Sequence, residues 1–147
     1  MWDNQRVRLH FHNQEAAGVS PLSEERRLIR LSELCAMLVF IQQHEVGVKR
    51  MVGGAWLYHL EGYRKLFPPV FLATAKPGTQ DYPYMTLWGQ FVDRDGQVRQ
   101  SLVVRFIECL ERQTALEGLL GCFPLSVFYL EAPVEVFYPY FGIDNKQ

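Results

Sequence analysis

Leu28, Leu31, Leu34, Leu38 and Ile41 recur at steps of three and four residues. That period lays an apolar stripe along one side of a helix, and the chain must build something against it. The flanks agree with a helix. Ser20 can cap it, Pro21 suits the first helical position, Glu24 and Glu25 favour its positive end, and Gly47 is a natural stop. Cys35 lies beside the stripe, while Arg27, Arg30 and Glu33 fall outside it.

Four segments read as strands that could receive this helix. "RVRLHFH" at 6–12 alternates, with Val7, Leu9 and Phe11 on one face and Arg6, Arg8, His10 and His12 on the other. "VFLATA" at 70–75 reads as a short buried strand, "YMTLWGQFV" at 84–92 as an alternating one, and "LSVFYLEAP" at 125–133 as a third. Gly89 inside the second marks a bulge or a close approach. Further helices are expected over 55–67 and 98–113. In the first, Trp56, Leu60, Tyr63 and Phe67 share a face and Pro68 and Pro69 end the run. In the second, Leu102, Phe106, Cys109 and Leu110 face inward. "DRDG" at 93–96 is a turn, and "VEVFYPYFGI" is either a last short helix or an extended tail.

This order predicts an α+β fold: a small, mostly antiparallel sheet of three or four strands packed with about three helices, with a mainly helical fold as second choice. No repeat, charge block or low-complexity linker divides the chain, so residues 1–147 read as one domain, which could be a piece of a longer protein.

Composition narrows the function classes. A formal net charge of −1, with no basic stripe, gives no electrostatic case for nucleic acid. The N-terminus "MWDNQRVRLHFHNQ" is too polar for a signal peptide, and "LCAMLVFI" at 34–41 is too short to span a bilayer. Cys35, Cys109 and Cys122 are odd in number and widely spaced, which argues against a disulfide framework and a zinc knuckle and for a reducing, cytoplasmic location. Aromatic residues make up 14% of the chain, enough to fill a core and leave rings over for a groove.

Several residues carry candidate chemistry. His10 and His12, two apart on a strand, share a face; they could act as a general base, or hold a metal with Glu15 or a distant acid. No H-E-x-x-H or other full ligand set accompanies them, so no metal is assigned. On the helix expected over 55–67, Trp56 lies on the apolar stripe and Tyr58, His59 and Arg64 on its edge, where rings and a two-pronged donor could receive a planar or anionic ligand. Gly53 and Gly54 precede that helix and could expose its first amides, or serve only as a joint. Trp88 and Gln90 extend the same aromatic groove. No G-x-S-x-G elbow is present, and Cys122, in "GCFP", has no base beside it.

The C-terminal run "LSVFYLEAPVEVFYPYFGI" resembles the end of the GNAT acetyltransferase fold, in which a strand leads to a short helix with an Ala-x-x-Leu-Tyr-x-x-x-Gly-Phe pattern. Tyr138 and Gly142 match that spacing and Ile143 replaces the Phe. The resemblance covers about a sixth of the chain and implies, for Tyr138 alone, the acid that protonates a leaving thiolate. The acetyl-CoA loop of that family has no counterpart: "RDGQVR" at 94–99 holds one glycine, and Val98 stands where a second would be.

The expectation is a binding module with an aromatic groove, taking a small molecule or a protein partner. A small enzyme using His10 or His12, and a degenerate GNAT-like acyl-CoA-dependent transferase, are the alternatives. The sequence names no cofactor, and a homodimer stands among the open assembly states.

Overall fold

A computed structural model describes residues 5–11, 19–78 and 87–144. Its centre is one mixed sheet in the order β1-β2-β4-β3, where β1 is Arg6–Leu9, β2 Arg50–Ala55, β3 Lys76–Pro77 and β4 Phe128–Pro133. Strand β1 runs parallel to β2; β4 runs antiparallel to both β2 and β3. This is the α+β architecture expected from the sequence.

Helix α1, Glu24–His44, connects β1 to β2 and covers one face of the sheet. It starts three residues after Pro21, with Ser23 as its N-cap. Leu38 and Ile41 are buried, but Leu28, at the start of the expected stripe, is exposed.

Alternation on β1 holds: Leu9 is buried and Val7 half-buried, while Arg6 and Arg8 are exposed. The same parity continues across the sheet. Met51, Leu130 and Ala132 join α1 in the principal core, which is ring-packed by Tyr58, Tyr63, Phe67, Phe71 and Phe137. The opposite face bears Arg6, Arg8, Arg50, Tyr129 and Glu131.

Three expected elements take other forms. "GGA" belongs to β2, not to the approach to a helix, because six residues of β2 pair with β4. A 3₁₀ turn, Trp56–His59, follows, and then the single helical turn α2, Glu61–Arg64. Trp56 and Tyr63, placed on one stripe by helical spacing, therefore enter different cores. The segment 70–75 is not a strand. Pro68 and Pro69 begin a helix, α3, Pro69–Leu72, whose first amides from Phe71 and Leu72 bond the Pro68 carbonyl. Trp88–Phe91 is a 3₁₀ turn and not a strand; residues 84–86 lie outside the described residues. The Gln90 side chain supplies what a strand backbone would have supplied: Nε2 donates to the Leu125 carbonyl at 3.0 Å, and Oε1 accepts from the Leu125 amide at 2.8 Å.

The turn at 93–96 forms as expected, with the Asp93 carboxylate accepting from the Asp95 and Gln97 amides and Gly96 at φ 76°. Helix α4, Gln100–Leu110, then packs Phe106 against Phe91 and Phe123 in a second apolar cluster. The tail resolves into two 3₁₀ turns, Val134–Val136 and Pro139–Phe141.

The cysteine expectation is overturned. Cys109, at the end of α4, and Cys122 form a disulfide with their Cα atoms 5.5 Å apart. The 3₁₀ segment Leu116–Cys122 folds back beside α4 and brings together two thiols 13 positions apart. The argument for a reducing compartment loses its premise with that bond. Among the described residues no helix is long and apolar enough to cross a membrane.

Candidate functional site

The chain turns out of β1 at Leu9 into His10 and Phe11, and this exit faces α1 across a gap. From α1, Arg30, Leu34 and Met37 reach the gap at i, i+4 and i+7, with Glu33 beside them. Tyr63 of α2 and the following Leu66 and Phe67 close the far side. The result is a half-open pocket of about 190 Å³. Its floor is apolar and aromatic, with Phe11 and Tyr63 meeting edge to face at 5.8 Å. Its rim is polar: His10 is exposed, and Arg30 donates from Nη1 to Glu33 Oε2 at 2.6 Å. The Arg30 side chain is only 13% exposed against 55% for Glu33, so the guanidinium lies against the pocket wall while the carboxylate stays in water.

Tyr63 lines this pocket, yet burial pushes its phenol up to about 12, so it is a neutral wall at physiological pH. Burial raises Tyr58 further still, and the adjoining Tyr63 adds to the effect. Tyr58 is 4% exposed, and its hydroxyl lies over Gly53.

The residues picked out by sequence spread over several places. His10 is at the pocket rim; His12 and Glu15 lie outside the described residues. Among the described residues no three His, Cys, Asp or Glu side chains group as metal ligands. Tyr58 is in the principal core and not on an open groove. His59 is exposed, stacked on Phe128 at 4.4 Å, with Nε2 3.0 Å from the Ser126 carbonyl, which places its proton on Nε2. Arg64 is on the outer side of α2, in an open, mixed-charge groove with Lys65, Leu72 and Tyr140. Trp56 and Trp88 border the second cluster, Trp88 being 49% exposed, and Gln90 is buried and held by Leu125. Tyr138 is 7% exposed; burial, then the neighbouring Glu135, raises its phenol. Gly142, at φ 68°, ends its turn and lets the Ile143 amide reach the Tyr138 carbonyl at 2.9 Å.

Of those candidates the described pocket takes His10 alone. Of its lining residues, sequence reasoning left the four from α1 out of the site: Arg30, Glu33, Leu34 and Met37. The i, i+4, i+7 spacing of 30, 34 and 37 was visible, but it merges with the core stripe of the same helix.

No protein-family model matches the chain, and neither a curated protein nor a solved structure matches it. The acyltransferase resemblance therefore rests on the C-terminal residues by themselves.

Proposed function

We propose that this protein is a small-molecule binding module whose site is the pocket between the end of β1, helix α1 and residues 63–67. The observation that carries the reading is an apolar, ring-lined recess whose rim holds an imidazole and a nearly buried guanidinium. Ligand sites commonly combine an apolar wall with a few convergent polar groups. A dry void of ~150 Å³ holds a benzene ring, so 190 Å³ suits one ring or a short branched chain. Arg30 and His10 favour a ligand whose free end is a carboxylate or another hydrogen-bond acceptor. The concavity and its ring-scale volume favour a small molecule over a protein as partner.

Titrating the protein with phenylacetate and phenylacetamide tests this, with the Met37 methyl resonance as the local reporter. The acid should bind with an affinity between about 1 mM and 1 μM, and more tightly than the amide. Arg30→Gln should abolish that preference, and Leu34→Trp should abolish binding. A Met37 signal unmoved by either compound overturns the reading.

A further inference from the structure

Helix α1 has a second working flank. At 3.6 residues per turn, Glu24, Arg27, Leu31 and Cys35 share one face of the helix, turned away from Glu33 and Met37 at the first pocket. Two recesses lie along that face. The first, of about 640 Å³, opens between Glu24 and Arg27, the end of α2 and helix α3, with Pro69 and Leu72 as its apolar wall. The second, of about 410 Å³, lies between Leu31 and Cys35 and the last 3₁₀ turn. Tyr140 lines both. Its ring is 42% exposed, and its hydroxyl donates to the Lys65 carbonyl at 3.1 Å, which ties the ring down where the two recesses meet. The Cys35 thiol lies 3.9 Å from the Phe141 carbonyl and holds the far end against α1.

The two recesses differ in chemistry. In the first, Arg27 is paired with Glu24 at 2.6 Å and Lys65 with Glu61 at 2.9 Å, whereas the exposed Arg64 makes no ion pair among the described residues. A guanidinium presents a planar fork that matches a carboxylate. The second recess has no charged side chain on its described walls: Leu31, Cys35, Tyr140 and Phe141 make it apolar, with Ser32 at its edge. From Glu24 to Cys35 the helix rises ~16 Å. A compact anion would engage only the first recess and a lone ring only the second. A slender chain with one anionic end uses both.

We propose that this groove binds a straight-chain carboxylate of medium length, a fatty acid, with its head at Arg64 and its alkyl chain running over Tyr140 to Leu31 and Cys35. The site is separate from the first pocket, because the two lie on different flanks of α1 and share only Phe67.

With Cys109 and Cys122 bonded to each other, Cys35 is the free thiol, and its alkylation by N-ethylmaleimide reads the far end of the groove. Decanoate should slow that alkylation saturably. Hexanoate, with four fewer methylenes to bury, should need about tenfold more ligand for the same protection. Decyltrimethylammonium, with the same chain and the opposite head charge, should protect more weakly than decanoate. Arg64→Gln, at an exposed position, should leave the fold intact and raise the half-protecting concentration of decanoate by about threefold. Tyr140 ring resonances should move on titration while the Met37 methyl stays in place. Failure of decanoate to protect Cys35, or a shift at Met37 in place of Tyr140, overturns the proposal. Equal protection by both head groups, or no change in Arg64→Gln, overturns the placement of the head. Protection that rises with protein concentration and needs no ligand would put a second copy of the chain in the groove, and overturns the proposal as well.

Discussion

At Gly53 a single hydrogen in place of a methyl decides how Tyr58 packs. A Cβ there would fall inside the Tyr58 hydroxyl and 2.8 Å from its Cζ. Gly53→Ala should therefore cost about 1–3 kcal/mol, as overpacked core substitutions do, despite the gain in strand propensity. Tyr58→Phe removes the hydroxyl that a Cβ at Gly53 would strike, so it should relieve part of the Gly53→Ala defect. Urea unfolding of the two single variants and the double variant measures both effects. The same rings set the alkaline limit. The folded pKa of Tyr63 lies above its ordinary value of 10.0, at about 12, so the neutral phenol stabilises the fold fully below pH 10. That contribution is lost as pH rises through 12. Thermal midpoints should fall between pH 10 and 12, and Tyr63→Phe should flatten the decline.

Among the elements, those whose residues carry their own instructions are the ones the sequence foretold. Helix α1 has its period and its acidic first turn, β1 alternates, and the 93–96 turn has Asp93 and Gly96 where the geometry needs them. Two of the expectations that failed concern segments whose hydrogen bonds go to distant partners. Glycines disfavour a strand, yet Gly53 and Gly54 lie in β2 because β4 pairs with it residue for residue. The 88–91 segment, which alternates like a strand, coils into a 3₁₀ turn because the Gln90 amide satisfies Leu125 from a side chain. Gln90→Met should leave the Leu125 amide and carbonyl unpaired and cost about 1–3 kcal/mol. Chemical denaturation checks that loss; a change below 0.5 kcal/mol would mean water replaces the amide.

At the scale of the molecule, the described residues form two apolar clusters, and the disulfide belongs to the smaller one. Closing a loop of about this length stabilises by ~3 kcal/mol in the chain-entropy account. Replacing Cys109 and Cys122 together by serine should lower stability by about that amount. Hydrogen exchange should show the loss first in α4 and the 3₁₀ segment Leu116–Cys122, while the amides joining β2 to β4 keep more of their protection. Uniform loss across both regions would mean the clusters open as one unit.

The chain alone determined the α+β class, the amphipathic α1, the alternation of β1 and an aromatic-rich core, since each follows from near neighbours in sequence and the period of their own backbone. Only the tertiary structure decided that Tyr58 is core, that Cys109 meets Cys122, that Arg30 and Glu33 stand beside His10, and that Arg6 and Arg50 share Glu131. Those pairings join residues whose separation along the chain carries no period. They arise from strand order and chain reversal, and these are chosen by the total burial and hydrogen bonding of the molecule rather than by any local segment.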